Sequence, residues 1–272
     1  MQLGIGTWAF PWSIGIPGHP QPPNPLDAVS LLHRAKTLGL SLVQICDNLP
    51  YYDLTPQELV EIRQTADDLG IILGLGTRGV QPEHLLRTLD YARPLRAETL
   101  RTVIDTPDPV RVATWMRQIV PHFAAAGVTI VLENTEVLPV QDIARILRDV
   151  DTPHLRVCLD TANSLGRLET LEQVVEALGP YTRIIHYKDI GVRRVQQAPP
   201  VFRMGFEIVG QPAGQGRVDF DWLITAITQQ GVDPDIILEL WPPFLETIEQ
   251  TVANEAVWVE QSIRFLKGKL EV

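Results

Sequence analysis

Cysteine is scarce in this chain of 272 residues: Cys46 and Cys158 stand alone, far apart, with no CxxC pair. That excludes a disulfide framework and a zinc site built on paired cysteines, and both residues are expected as buried thiols. Long apolar runs are missing as well, and none approaches the length that spans a bilayer. The opening MQLGIGTWAF lacks the basic and apolar regions of a signal peptide, so the cytoplasm is the expected location and a membrane is not an expected partner. Positive charge is short, with 23 Lys and Arg against 33 Asp and Glu and a formal net charge of −10. The basic residues form no cluster, which argues against nucleic acid held through many phosphate contacts. After the first apolar run, GIGTWAF lacks the third glycine and the helix start of a dinucleotide-binding turn, which disfavours a doubly wound open sheet.

What is present is alternation. Short runs rich in Leu and β-branched residues lie at 3–8, 41–48, 71–77, 99–105, 128–134, 155–160, 183–189 and 235–241, each ending near Gly, Pro, Asn or Asp. Amphipathic patterns separate them, at 26–39, 55–70, 139–150, 169–178, 219–231 and 245–266, and His84 and His122 fall in further helical patterns. The stretch TPQELVEIRQTADDLG is the clearest, with a Thr cap, Pro at the first helical position and Glu three residues after the cap. Eight strand-helix units in one chain of this length predict an α/β fold, a single (β/α)8 TIM barrel occupying residues 1–272. Two long connections, 9–25 and 190–218, follow strands and are expected as lids on the functional face.

In such a barrel, inward residues at the C-terminal strand ends share one pocket. Glu133, Asp160, His186 and Glu239 come from the last four strands. Two residues before each stand Val131, Cys158, Ile184 and Ile237, apolar or small side chains suited to a barrel interior, so a period of two turns all eight inward. Three carboxylates and an imidazole on one apolar tube are costly unless a cation neutralises them. Asp160 alone reads equally as the start of an Asx-type turn through CLDTAN. Mixed oxygen and nitrogen donors make Mn2+ the expected ion, with Mg2+, Co2+ and Zn2+ as alternatives.

The series VLEN, CLDTANS, IIHYKD and IILELW, with GQGRVDF before the last unit, resembles the xylose isomerase-like TIM barrel superfamily of sugar phosphate isomerases and epimerases, inosose dehydratases and endonuclease IV-type enzymes. The resemblance covers essentially the whole chain, and HxKD and GxGxVDF are its most specific pieces. It implies that Glu133, Asp160, His186 and Glu239 are metal ligands and that Glu133 and Glu239 double as acid and base. Two departures stand out. Asn163 occupies the place where better-known relatives carry a His that touches substrate, and an amide cannot shuttle a proton near neutral pH. The histidines needed for a multi-zinc cluster are absent.

Lys188 shares the parity of His186, one layer nearer solvent, and is a candidate to stabilise an oxyanion or to pair with a strand-end acid. Arg78 and Arg203 are candidates for a phosphate or carboxylate. Trp241 shares the parity of Glu239. With Trp8, Phe10, Trp12, Tyr51 and Tyr52 it offers apolar walls for a sugar ring. Asn48, Asn134 and Asn163 are candidates for hydrogen bonds to substrate, or caps of turns. The expected function is a divalent-metal-dependent isomerase or epimerase acting on a sugar, keto-sugar or sugar phosphate through an enediolate. The alternatives are a dehydratase of a cyclic keto-polyol such as inosose or dehydroshikimate, and a non-catalytic sugar-binding barrel. The expected partner is a small sugar-like molecule, with a homodimer or homotetramer as the assembly.

Overall fold

The computed structural model of the chain describes residues 1–195 and 205–270. Eight parallel strands close on themselves in chain order: β1 (Leu3–Gly6), β2 (Leu42–Ile45), β3 (Ile72–Arg78), β4 (Thr99–Val103), β5 (Thr129–Glu133), β6 (Leu155–Asp160), β7 (Thr182–Tyr187) and, after the ribbon β8–β9 described below, β10 (Asp235–Leu238). The seam lies where β1 pairs with both β2 and β10, Leu3 against Ile236 and Gly4 against Leu42. The TIM barrel expected from the alternation is present.

Helices pack around the outside: α2 (Ala28–Thr37), α3 (Pro56–Leu69), α4 (Pro82–Leu95), α5 (Pro109–Ala125), α6 (Val140–Val150), α7 (Leu171–Leu178), α8 (Phe220–Thr228) and α9 (Ile248–Leu270) follow one turn of helix, α1 (Pro11–Ile14). Several start on a side-chain cap. Thr55 and Glu58 form a reciprocal capping box at α3, Asp27 caps α2, and Asp219 caps α8 by accepting from Trp222 N. Gly70 ends α3 in the left-handed region at φ 66°. Among the described residues no helix is long and apolar enough to cross a membrane.

Two apolar clusters hold the barrel. The larger lies between strands and helices, and the smaller fills the tube itself with Leu42, Val131, Cys158, Ile184 and Ile237. Four of those five are the residues whose parity predicted the inward face. Both cysteines are free and buried, and burial pushes both thiols well above their ordinary range.

Two expectations change. The first strand ends at Gly6, and Thr7–Ala9 turns as a 3-10 helix, which carries Trp8 over the barrel mouth. The second long connection is not all irregular: β8 (Asp189–Arg194) and β9 (Phe206–Gln211) pair antiparallel as a ribbon, Asp189 opposite Gln211. Arg203 lies outside the described residues.

Candidate metal and substrate site

Period-two alternation delivers the site. Counting from the apolar layer toward the C-terminal ends, β5 presents Glu133, β6 Asp160 and β7 His186, with Lys188 just past β7 and Glu239 and Trp241 just past β10. Glu133, Asp160, His186 and Glu239 are each 1% exposed or less. Above them opens a cavity of about 180 Å³ at the C-terminal strand ends, lined by Trp8, Arg78, Asn163, Lys188, Glu239 and Trp241 among others.

His186 organises the floor. Its Nε2 lies 2.8 Å from Gln44 Oε1, an oxygen that only accepts, so Nε2 carries the hydrogen. Nδ1 then faces Glu239 Oε1 at 3.0 Å and Glu133 Oε1 at 3.7 Å. A lone pair facing two carboxylate oxygens calls for a cation between them. Neither Nδ1 nor Glu239 Oε1 has a hydrogen-bond partner among the described residues, while Glu133 Oε2 is buried against Arg101 and Asp160 Oδ2 against Lys188. One ligand atom from each of Asp160, His186 and Glu239 falls within 4.8 Å of the others, and Glu133, Cys158 and His186 satisfy the same test. This donor set fits a divalent ion.

Asp160 serves both readings of its turn. Its Oδ1 accepts from Ala162 N and Asn163 N, both at 2.8 Å, as in an Asx turn, while Oδ2 faces the floor. Asn134 braces it from behind, with its amide bonded to the Asp160 backbone on both sides. Asn163 Nδ2 donates to Glu133 Oε1 at 2.8 Å, and its Oδ1 lies 3.4 Å from Lys188 Nζ. Lys188 Nζ also lies 2.7 Å from Asp160 Oδ2 and 2.9 Å from Glu239 Oε2, and 4.8 Å from the centre of the Trp241 ring. Lys188 thus joins the strand-end acids and still lines the cavity.

The electrostatics follow from these pairings. Burial opposes ionisation of Glu133, but the Arg101 guanidinium first, with the Lys188 ammonium, holds its carboxyl well below the usual range. Burial dominates at Asp160, raised with the help of Glu133 and Glu239 despite the nearby ammonium. Lys188 resists burial because Asp160, Glu239 and Glu133 surround it, and its pKa rises.

Sequence reasoning missed three residues. Arg101, inward on β4, pairs through Nε with Glu133 Oε2, and its Nη1 lies 3.3 Å from Asp47 Oδ1. Gln44, inward on β2, orients His186, and Asp47 sits just past the end of β2. A charged or amide side chain inside a strand buried on both faces was the available signal. Other candidates fall elsewhere. Asn48 donates to Thr7 O at 3.1 Å, which ties the turn after β2 to the 3-10 turn after β1, and it lines a neighbouring crevice shared with Trp8. Phe10 and Tyr51 are fully buried, and Tyr51 bonds Gly76 O. Trp12 is buried, with Nε1 donating to Pro242 O at 2.8 Å.

A closed parallel barrel presenting carboxylates, an imidazole and an ammonium into one cavity at its strand ends defines a TIM-barrel protein with a metal-type site. Residues 32–269 match the family model described as xylose isomerase-like TIM barrel. The chain is 31% identical over 270 residues to the 3-oxo-isoapionate decarboxylase of Pectobacterium atrosepticum, covering 98% of this chain and 95% of that one. It belongs to the xylose isomerase-like TIM barrel family. The same fold occurs in D-psicose 3-epimerase from Clostridium cellulolyticum H10 solved with D-tagatose, at TM-score 0.74, 15% identity and coverage of 100% and 99%. It occurs too in an L-ribulose 3-epimerase, at TM-score 0.68, 18% identity and coverage of 99% and 94%.

Proposed function

We propose that the protein is a metal-dependent sugar isomerase or epimerase that works through an enediolate, with Glu133, Asp160, His186 and Glu239 as ligands of one divalent ion, Mn2+ first. The observation that carries this is the floor itself, where His186 Nδ1 and Glu239 Oε1 lie 3.0 Å apart, both buried without a hydrogen-bond partner among the described residues, beside the carboxylates of Glu133 and Asp160. A divalent ion bound there supplies Lewis acidity toward a ketone and its neighbouring hydroxyl.

The chain's own residues supply the rest. Glu239 or Glu133 takes the proton from the carbon beside the ketone, and the C–H electron pair moves into the enediolate. The partner glutamate returns a proton to the opposite face for epimerisation, or to the adjacent carbon for isomerisation. Lys188 and the Asn163 amide donate hydrogen bonds to the developing oxyanion, and Trp8 and Trp241 cover the ring and exclude water.

A second reading is favoured by the full-length relative whose name is that of a decarboxylase, together with Asn163, an amide that cannot shuttle a proton, beside Glu133. In a β-keto sugar acid the bond to the carboxylate carbon breaks, its electron pair enters the same enediolate, CO2 leaves, and a proton from an acid quenches the carbon. No base is needed to begin. The two readings part on one experiment. Mn2+-loaded protein is incubated with ketoses and with keto sugar acids in deuterated water. Deuterium uptake into a ketose whose carbon skeleton is retained supports the isomerase, and CO2 release from a keto acid without exchange into ketoses supports the decarboxylase. Asp160→Ala should lower Mn2+ affinity by at least about a hundredfold, beyond the range seen when only an outer partner of a ligand is removed. Unchanged affinity overturns the ligand assignment.

A further inference from the structure

A crevice beside the metal-site cavity is left unused by the chemistry above. It opens between the loop after β1 and the turn after β2, holds about 640 Å³, and is lined by Ile14, Ile16, Leu26 and Leu49 with the rings of Pro11 and Pro50. The cavity over the ligand cluster holds about 180 Å³. That is room for one ring, since an apolar cavity of about 150 Å³ takes benzene, whereas sites for larger ligands run upward from about 300 Å³.

The two spaces adjoin. Trp8 is a wall of both. Asp47 lines the crevice, while Arg78 and Arg101, at 3.9 Å and 3.3 Å from its carboxylate, line the cavity. Trp8 Nε1 lies 3.4 Å from Asp47 Oδ1, so a single layer of side chains separates the crevice from the reaction centre. Both sides of the crevice are held in shape. Leu26 N donates to Ser13 O at 2.8 Å, which closes the loop on itself, and within it the Gln21 amide donates to Ile16 O at 2.9 Å and His19 O at 2.8 Å. Opposite, Leu49 N donates to Cys46 O at 3.0 Å and Asn48 Nδ2 to Thr7 O at 3.1 Å. Ile14, Leu26 and Leu49 also pack against the main core. A groove fixed in this way needs little ordering when a ligand enters it.

The lining selects the kind of occupant. Its ionisable groups among the described residues are Asp27 and Asp47, with no Lys, Arg or His. Asp47 is held by two guanidiniums, and Asp27 accepts from Ser30 N as the cap of α2. An anionic group would meet carboxylates here without a counter-charge. A second sugar ring would exchange water around its hydroxyls for aliphatic and proline side chains, at a cost for each hydroxyl left unpaired. A flat apolar ring has no such cost and leaves water by entering.

We propose that the crevice is a second subsite of the same reaction centre and that the substrate is a keto-sugar carrying an aryl group, an aryl glycoside, with its sugar over the ligand cluster and its aryl ring beyond Trp8. The inference rests on the metal-dependent ketone chemistry above and names the substrate class for that site.

The test is calorimetric titration of Mn2+-loaded protein with glycosides that lack a ketone and therefore stay intact. The probes are methyl and phenyl β-D-glucopyranoside, methyl and phenyl β-D-xylopyranoside, and the methyl glycosides of cellobiose and xylobiose. In at least one sugar series the phenyl glycoside is expected to bind about tenfold or more tightly than the methyl glycoside, the gain from burying an aromatic ring, and more tightly than the disaccharide. Ile16→Asp sets a charge in the crevice wall, away from the ligand cluster. It is expected to bring the phenyl glycoside to within about threefold of the methyl one, with methyl glycoside affinity and Mn2+ content unchanged. No phenyl preference in either series, a disaccharide that binds as tightly, or a phenyl preference that survives Ile16→Asp each overturn the proposal. Survival would mean that the ring lies on Trp241 inside the cavity. In each of those cases bound Mn2+ leaves the metal-dependent reading standing, whereas protein that takes up no Mn2+ overturns both.

Discussion

His186 has two ring nitrogens with separate tasks. Nε2 is occupied by Gln44, which fixes the tautomer and aims Nδ1 at the carboxylates. Replacing Gln44 by Leu keeps the volume close and removes the acceptor. Mn2+ affinity, followed by competition with a chelator, should fall by about 10–100-fold. Affinity equal to the wild type would show that Gln44 does not orient the ligand. Glu133, Asp160, His186, Glu239, Lys188 and Trp241 were readable from the sequence because alternation in a strand propagates without error from an apolar layer to its polar end. Gln44 and Arg101 obey the same alternation, one behind Cys46 and the other behind Val103. They were passed over because each stands singly inside its strand rather than at the end, where polar residues gather. Asp47 had no such handle, since it lies in a turn whose path the sequence does not set.

At the scale of elements, the HxKD and GxGxVDF stretches turn out to be two halves of one clasp. Asp189 is buried, and its Oδ2 accepts from Gly214 N at 2.8 Å and Gly216 N at 2.9 Å, while Oδ1 accepts from Val218 N at 3.1 Å. A Cβ on Gly216 would fall 2.1 Å from Asp189 Oδ1, so only glycine lets the backbone come this close, and Gly214 sits at φ 79°. The clasp closes the base of the β8–β9 ribbon directly after Lys188. Asp189→Ala strips the acceptor from these three amides and from that of Ile190, and should destabilise the fold by roughly 3 kcal/mol, read as a lower urea midpoint. A midpoint within error of wild type would mean that the ribbon base is held by other contacts. The ribbon was not legible beforehand, because Gly and Pro in 190–218 mask the alternation of strands this short. The helices were legible through their caps, as at Thr55 and Gly70.

On the scale of the whole molecule, Glu255 of α9 staples the last helix to the first loop. Its carboxylate accepts from Trp12 N at 2.7 Å, Ser13 N at 3.0 Å and Ser13 Oγ. Burial pushes its carboxyl up to about 7 from an ordinary 4.5, with the three hydrogen bonds and Arg34 opposing. Between pH 4.5 and 7 the folded protein therefore holds a proton at this site that the unfolded chain has lost, and stability falls as pH rises through that window. Glu255→Gln removes this contribution, so the difference in unfolding free energy between wild type and variant should change by roughly 3 kcal/mol from pH 4.5 to pH 8 and be flat above it. A constant difference across the series would show that Glu255 titrates normally. The connection 9–25, expected as a lid, is at its start a part of the core, since Trp12 and Ser13 are buried. Its apolar side chains were visible in the sequence, but their partner 243 residues away was not.

The seam between β1 and β10 has a consequence for how the protein is made. As the chain leaves the ribosome, β1 emerges first and can pair along one edge with β2, but its other edge waits for Asp235–Leu238. Until nearly nine-tenths of the chain has been synthesised, the growing sheet carries two open edges. At some 5–20 residues per second, that exposure lasts for about ten seconds or more. Glu239 follows the closing strand by one residue, so the barrel and its cation site are completed in the same moment of synthesis.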